Sequence, residues 1–571
     1  MIVLPFPYDA MPHTGSLDPV PAIPTLDAAY ARLEQASFLD ALWQRKLEAW
    51  SSDAAVQAAV ATRLGWLGAA DTMRPLLAQV RAAADEVRAA GFTDVVLLGM
   101  GGSSLAPEVI RQVIGVREGW PRFRMLDSVN PEAVRAAMAQ AETSLFILAS
   151  KSGGTIEPTV MAREARRRLI EAGHADWGSR TVAITDPDTL LHRQAVQDGF
   201  RHVFVNPPDV GGRFSALTLF GLVPAALMGL PVETLVDRGA AMAAACRTPS
   251  LRDNPGLALG VAMAAGAGIG RDKLTLLPSP SLRSFGLWVE QLLAESTGKD
   301  GQGIIPITGE PSRTRYGADR LVVTLTLAGE SPDTAALDAL RATGAPVVAL
   351  TLEDPLSLAA EFMRWEVATA TAGWLLGVNP FSEPDVARAK AATGTLIARH
   401  EHDGQLPVPA AATTVNGVAL KVSRAAAAQG LAPEAFLFLV RPGDYLTLLA
   451  YVSPADRVVT DALGRFRDAV GARSTVATSF GYGPRYLHST GQLHKGGPDT
   501  GLFIIVTGES AEDLAVPDAV YSFGVLEAAQ AVGDFTSLDD LTRRCLLLRL
   551  PKGDPAALEA VLTRLLAALP A

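Results

Sequence analysis

The sequence predicts an α/β protein with parallel sheets, and three observations carry that prediction. Short apolar runs alternate with helical stretches at residues 95–98, 145–149, 182–185 and 202–205. The alternation resumes near residue 273 with runs at 274–277, 321–327 and 347–351. Strands separated by helices pair in parallel, with helices on both faces. The chain has 571 residues, 49% of them hydrophobic, which exceeds one ordinary core and implies two to four domains.

Taken in order, residues 1–25 carry six prolines and read as an extended arm. Residues 26–92 read as helices, with segments from 26, at 54–64 and at 72–90. The first alternating block follows, then the second from 273. A third region, 401–571, adds strands at 445–452 and 502–506 behind a polar, proline-containing linker at 402–414. No short-period repeat is visible. The two α/β blocks admit a distant duplication, with no visible sequence identity between them.

The net charge of −10 and pI near 5.4 argue against nucleic acid or an anionic membrane as partner. The two cysteines, Cys246 and Cys545, lie far apart, which points to a reducing, cytoplasmic setting. Residues 1–30 lack a basic start and an apolar core, so no signal peptide is expected. Residues 214–232 hold no charge and approach the roughly 20 residues of a membrane span. Pro224 and Pro231 favour a buried helix with a break instead.

Six stretches carry chemistry. In Leu98-Gly-Met-Gly-Gly-Ser the glycines permit a tight turn, with Ser103 at a helix start. Gly99-x-Gly101 with Asp127 downstream also fits part of a dinucleotide fingerprint, but its third glycine position is Ser104. In Ser150-Lys-Ser-Gly-Gly-Thr an apolar strand enters a loop and a helix begins at about Thr155. Open N–H groups, three hydroxyls (Ser150, Ser152, Thr155) and Lys151 there form a phosphate cradle. In Gly211-Gly-Arg-Phe-Ser the Gly212 backbone and Arg213 can hold negative charge together, unless Arg213 is a solvated loop residue. Gln291 and Glu295 share one helical face ahead of a stop at Gly298. Burial there raises a carboxyl's pKa and suits it to proton abstraction; a surface glutamate is the alternative. In Asn379-Pro-Phe, Pro384 opens a helix that carries Lys390 on its second turn. The loop around His488 and His494, rich in glycine and aromatics, reads as a binding loop without metal ligands nearby. His400 and His402 read as a polar helix end.

In this order the stretches resemble the glucose-6-phosphate isomerase family. The matching residues are Gly99-Met-Gly-Gly-Ser, Ser150-Lys-Ser-Gly-Gly-Thr-Ile-Glu, Gly211-Gly-Arg-Phe-Ser, Gln291-x-x-x-Glu295-Ser and Asn379-Pro-Phe with Lys390. With the long C-terminal part, the chain looks most like the isomerase portion of transaldolase–isomerase fusion proteins, and no transaldolase portion is recognised in it. The resemblance implies two sugar-isomerase (SIS) three-layer α/β/α sandwiches with parallel sheets, at residues 61–250 and 251–400. An N-terminal arm and helices (1–60) would precede them, and a C-terminal α/β region (401–571) would pack on the second.

The resemblance further implies interconversion of glucose 6-phosphate and fructose 6-phosphate through a cis-enediol, as in glycolysis and gluconeogenesis, with no cofactor and no metal. Ser150, Lys151, Ser152 and Thr155 would hold the phosphate, and Ser103 and Gln291 the sugar. Glu295 would move the proton between C1 and C2, and Arg213 with the Gly212 backbone would stabilise the enediolate. Lys390 would also act in catalysis. Glu383 stands where the family usually has glutamine, and is expected to pair with Lys390. The family's ring-opening histidine is absent from its usual place before Asn379, so His488 is assigned that role, with His494 in reserve. This requires the C-terminal region to fold back onto the site. Relatives complete the site with a neighbouring subunit, so a homodimer is expected. Other readings are a non-catalytic sugar-phosphate-binding SIS regulator and an isomerase acting on both glucose and mannose 6-phosphates.

Overall fold

The computed structural model describes residues 2–4, 15–17, 25–552, 554 and 556–570. The rest of the proline-rich arm expected over residues 1–25 lies outside the described residues. Three sheets organise the chain. The first is wholly parallel, from β3 (Asp94–Gly99), β4 (Arg122–Leu126), β5 (Ser144–Ala149), β6 (Thr181–Thr185) and β7 (His202–Val205), in the order β4-β3-β5-β6-β7. Its central strands β3, β5 and β6 are buried along their whole length, and mostly apolar, because both faces are covered. Along β3, Val95 and Leu97 enter one core while Val96 and Leu98 enter another.

The second sheet is built on β8 (Lys273–Pro278), β9 (Ile305–Ile307), β10 (Arg320–Leu327) and β11 (Val347–Leu352), all parallel. The hairpin of β1 (Ile2–Leu4) and β2 (Gly15–Leu17) adds antiparallel to β11, so the arm contributes to this sheet. The third sheet follows the same plan. Parallel β14 (Tyr445–Tyr451), β15 (Ala477–Tyr482), β16 (Gly501–Thr507) and β17 (Arg544–Arg549) are joined antiparallel by the hairpin β12 (Thr413–Val415) and β13 (Val418–Val422). The orders β1-β2-β11-β10-β8-β9 and β12-β13-β17-β16-β14-β15 coincide strand for strand. In all three sheets the first parallel strand is central, the second lies at the edge, and the third and fourth continue on the other side.

The uncharged stretch at 214–232 forms the buried helix Leu219–Leu227, with Pro224 inside it, and a second helix starts at Val232. Among the described residues no helix is long and apolar enough to cross a membrane. The third sheet's unit touches both others. Its helix Phe523–Asp540 packs on helix Pro384–Asp403, and β15 lies beside β9. Glu310, after β9, accepts from the Thr478 N–H of β15 at 2.7 Å and is clamped by Arg313 and Arg320. Towards the first unit, Arg485 makes a bidentate pair with Asp127, Nη2 donating to Oδ1 at 2.7 Å.

Candidate active site

In a doubly wound sheet the crevice opens at the carboxyl ends of the strands, where the order reverses. In the first sheet that point lies between β3 and β5. The glycine turn after β3 and the hydroxyl loop after β5 meet there, in a cavity of about 510 Å³. Ser103, Ser150, Lys151, Ser152, Thr155, Gly212, Arg213, Gln291, Glu295, Lys390 and His488 all line it. The close approach explains the glycines. A Cβ on Gly102 would sit 1.9 Å from the Gly212 carbonyl oxygen, and Gly101 has φ +53° with Gln291 and the His488 backbone against it.

The cradle is open to a ligand. Thr155 is the N-cap of helix Ile156–Glu171, but its hydroxyl is not spent on capping. The Ser150 hydroxyl is buried and has no hydrogen-bond partner among the described residues. A buried unsatisfied hydroxyl costs about 1–3 kcal/mol, so it is poised for an acceptor or donor from outside. Lys151 is already engaged: its ammonium pairs with Asp186 and donates to the Pro208 carbonyl. The cavity also takes in Arg63, a cation that motif reading did not single out.

Helix Phe285–Thr297 follows β8 of the second unit and ends at Gly298, presenting Gln291 and Glu295 on one face. Gln291 Nε2 donates to Glu295 Oε2 at 3.2 Å and to the His488 carbonyl at 2.9 Å. Glu295 is buried, not a surface acid. Burial lifts its carboxyl above the ordinary value; Arg213 opposes this and the Glu383 carboxylate adds to it. Arg213 sits on the turn Gly212–Phe214, whose Phe214 ring stacks on Trp66 at 5.1 Å. Its Nη1 lies 3.0 Å from Glu383 and 3.4 Å from Glu295. It is therefore buried and ion-paired, not a solvated loop arginine. Glu383 pairs with this guanidinium rather than with Lys390 as expected, because the backbone of Pro380 and Ser382 also accepts from Arg213 and draws the segment onto it. Lys390 is on the second turn of helix Pro384–Asp403, solvent-exposed at the cavity rim.

His488 reaches the cavity from the turn Arg485–His488, after β15 of the third unit. Its Nε2 lies 2.9 Å from Glu157 Oε1, and the same oxygen accepts from Gln530 Nε2 at 2.7 Å. Glu157 lies in the first turn of helix Ile156–Glu171, where an acid suits the helix dipole. Burial pushes its carboxyl up, but His488 and Lys390 outweigh that and hold it below the ordinary value. His494, the reserve, is buried between Tyr486 and Phe503 and does not line the cavity. Burial, then Lys495, pushes it well below the ordinary histidine range, which keeps it uncharged. Asp127 is likewise taken: Arg485 occupies both its oxygens, which removes it as a ribose acceptor.

Residues 53–305 match the family model described as phosphoglucose isomerase. The glucose-6-phosphate isomerase of Parasynechococcus marenigrum (strain WH8102) is 38% identical over 215 residues, 36% of this chain and 39% of that protein. That of Synechococcus sp. (strain CC9605) is 30% identical over 349 residues, 54% of this chain and 65% of that protein. The chain thus spans less than two thirds of the length of these relatives. Among solved structures, a hypothetical protein from Thermus thermophilus superposes with a TM-score of 0.55 at 23% identity, over 66% of this chain and 99% of that one. A glucose-6-phosphate isomerase from Chlamydia trachomatis superposes at 0.52 and 18% identity, over 68% and 89%. These two similarities carry the fold alone. Through the match over residues 53–305, and at moderate sequence identity, this chain is similar to the glucose-6-phosphate isomerase family.

Proposed function

We propose that the chain interconverts glucose 6-phosphate and fructose 6-phosphate by moving one proton between C1 and C2. The observation that supports this most is the single cavity, which joins a phosphate cradle to a buried carboxylate and a carboxylate-backed histidine. In this reading Ser150, Ser152, Thr155 and the open helix N-terminus hold the phosphate, with Lys151 in the same loop, its charge partly offset by Asp186. That anchorage spends binding energy on placing C1 and C2 beside Glu295. His488, oriented by Glu157, exchanges a proton with the ring oxygen and opens the sugar. Glu295 then removes the proton from one carbon and returns it to its neighbour through the cis-enediol. A positioned base of this kind contributes about 10²–10⁴ in rate. Arg213, fixed beside Glu295, offsets the enediolate's charge, as does the Gly212 backbone. Ser103 and Gln291 hold sugar hydroxyls. One carboxylate serves both carbons, so the chemistry calls for no hydride acceptor.

The test is a coupled assay: fructose 6-phosphate is supplied and glucose 6-phosphate is read through a dehydrogenase. Turnover is expected, falling by about 10²–10⁴ in Glu295→Gln. Undiminished activity in that variant would remove Glu295 as the base. Sugar-phosphate binding without any turnover by the unmodified protein would replace the isomerase with a regulator.

A further inference from the structure

Glu383 stands where the resemblance expects a neutral glutamine, and it shares a cation with the expected base. All three nitrogens of Arg213 are engaged by the protein. Nε donates to Ser296 Oγ at 2.8 Å, and Nη2 donates to the carbonyls of Pro380 at 2.7 Å and Ser382 at 3.1 Å. Nη1 is left to face two carboxylates, Glu383 at 3.0 Å and Glu295 at 3.4 Å. The Arg213 side chain is 3% exposed and that of Glu295 11%, so water does little to screen this pair, while Glu383, at 33%, is partly screened. One positive charge therefore serves two negative ones.

Resting on the isomerase reading, we infer that Glu383 is a positioning residue that works through Arg213: by taking the shorter Nη1 contact it leaves Glu295 under-neutralised, and so raises the pH above which the base is ionised. The other groups facing Glu295 do not supply the missing charge. Gln291, on the same helix, is neutral. Lys299, just beyond that helix, donates to the Asn379 carbonyl; burial, then Arg213, pushes its ammonium well below the ordinary lysine range. His488, from the third unit, is held by Glu157. Arg213 first, then Arg63, hold Glu383 ionised against its own burial. Electrostatics agree with this geometry: Glu295 is lifted and Glu383 is depressed, as expected when the closer carboxylate claims the guanidinium.

The sign follows directly. Glu383→Gln keeps an oxygen for Nη1 to donate to, and removes one negative charge near Glu295. Ionising Glu295 then becomes easier, so its titration moves to lower pH. A shift of about one unit is the size expected for removing a like charge beside a buried carboxylate. Two readouts separate this inference from the function it rests on. The acid limb of the kcat/KM profile reports Glu295 in a working isomerase. An infrared difference titration, with Glu295→Gln as the blank, reports the same carboxyl whether or not the protein turns over. The acid limb and the infrared midpoint should both move to lower pH in Glu383→Gln and in Glu383→Met, and stay near the parent's in Glu383→Asp. An unmoved infrared midpoint in the two neutral variants overturns the role of Glu383. A moved midpoint in a protein without isomerase activity upholds it and overturns only the reaction.

Discussion

Ser150 separates the requirements of folding from those of binding at a single side chain. Its hydroxyl is buried at the mouth of the cradle and finds no partner among the described residues, so the fold gains nothing from it. Removing an unsatisfied polar atom is neutral or mildly stabilising, whereas removing one that bonds a ligand costs about 1 kcal/mol or more. Ser150→Ala should therefore melt no lower than the parent, yet bind inorganic phosphate and fructose 6-phosphate about tenfold more weakly. Calorimetric titration beside a melting curve checks both halves, and unchanged phosphate affinity would take Ser150 out of the cradle. Arg213 shows the opposite economy. Its donors are directed at Ser296, Pro380, Ser382, Glu383 and Glu295, so it reaches the reaction through its charge, not through a free N–H.

Among the elements, helix Phe523–Asp540 lies against the first unit, and its Glu527 meets the N-cap of helix Pro131–Met138. Asn130 Nδ2 donates to the Glu527 carboxyl at 3.0 Å, inside the protein. Burial pushes that carboxyl up to about 8, against the pull of the Asn130 hydrogen bond. The unfolded chain releases the same proton near the ordinary glutamate value of about 4.3. The folded state thus holds a proton that the unfolded state has lost. Its contribution to stability is full below the lower value and is lost as pH rises through about 8, at about 1.4 kcal/mol per unit. Glu527→Gln keeps the shape and abolishes the titration. Its melting temperature should match the parent's near about pH 4 and exceed it near about pH 8.5, and parallel melting curves across that range would refute the assignment. The same contact marks where reading the sequence stops. Gln291 and Glu295 were legible because a spacing of four puts them on one helical face. The cradle was legible because its hydroxyls are consecutive. The central strands were legible because burial on both faces gives each a continuous apolar run. The strands that escaped notice lie mostly at sheet edges: β4 alternates arginine with apolar residues, β9 has only three residues, and β15 mixes hydroxyls and glycine. No local pattern announces that Asn130 meets Glu527, that Glu157 backs His488, or that Arg485 rather than a ribose occupies Asp127. Each joins positions more than three hundred residues apart.

At the scale of the molecule, three units of like topology share the work unequally. The first supplies the whole cradle, the second supplies Gln291 and Glu295, and the third supplies His488. In the proposed reaction, phosphate anchorage lies within one unit, while ring opening depends on how the third is seated on the first. That seating has a strut, the bidentate Arg485–Asp127 pair, three residues before His488 and outside the cavity lining. Both partners are largely removed from water, so cutting one strands the other as an uncompensated buried charge, at a cost of about 3–5 kcal/mol. Arg485→Ala should consequently lower the melting temperature and let the turn carrying His488 relax. Because the cradle stays intact, KM for fructose 6-phosphate should hold while kcat falls by about tenfold or more, the penalty expected for a displaced acid–base group. Supplying a sugar phosphate that cannot close into a ring should restore part of the rate in that variant and little in Glu295→Gln. If KM rises and kcat holds, the strut supports binding instead, and His488 does not depend on it.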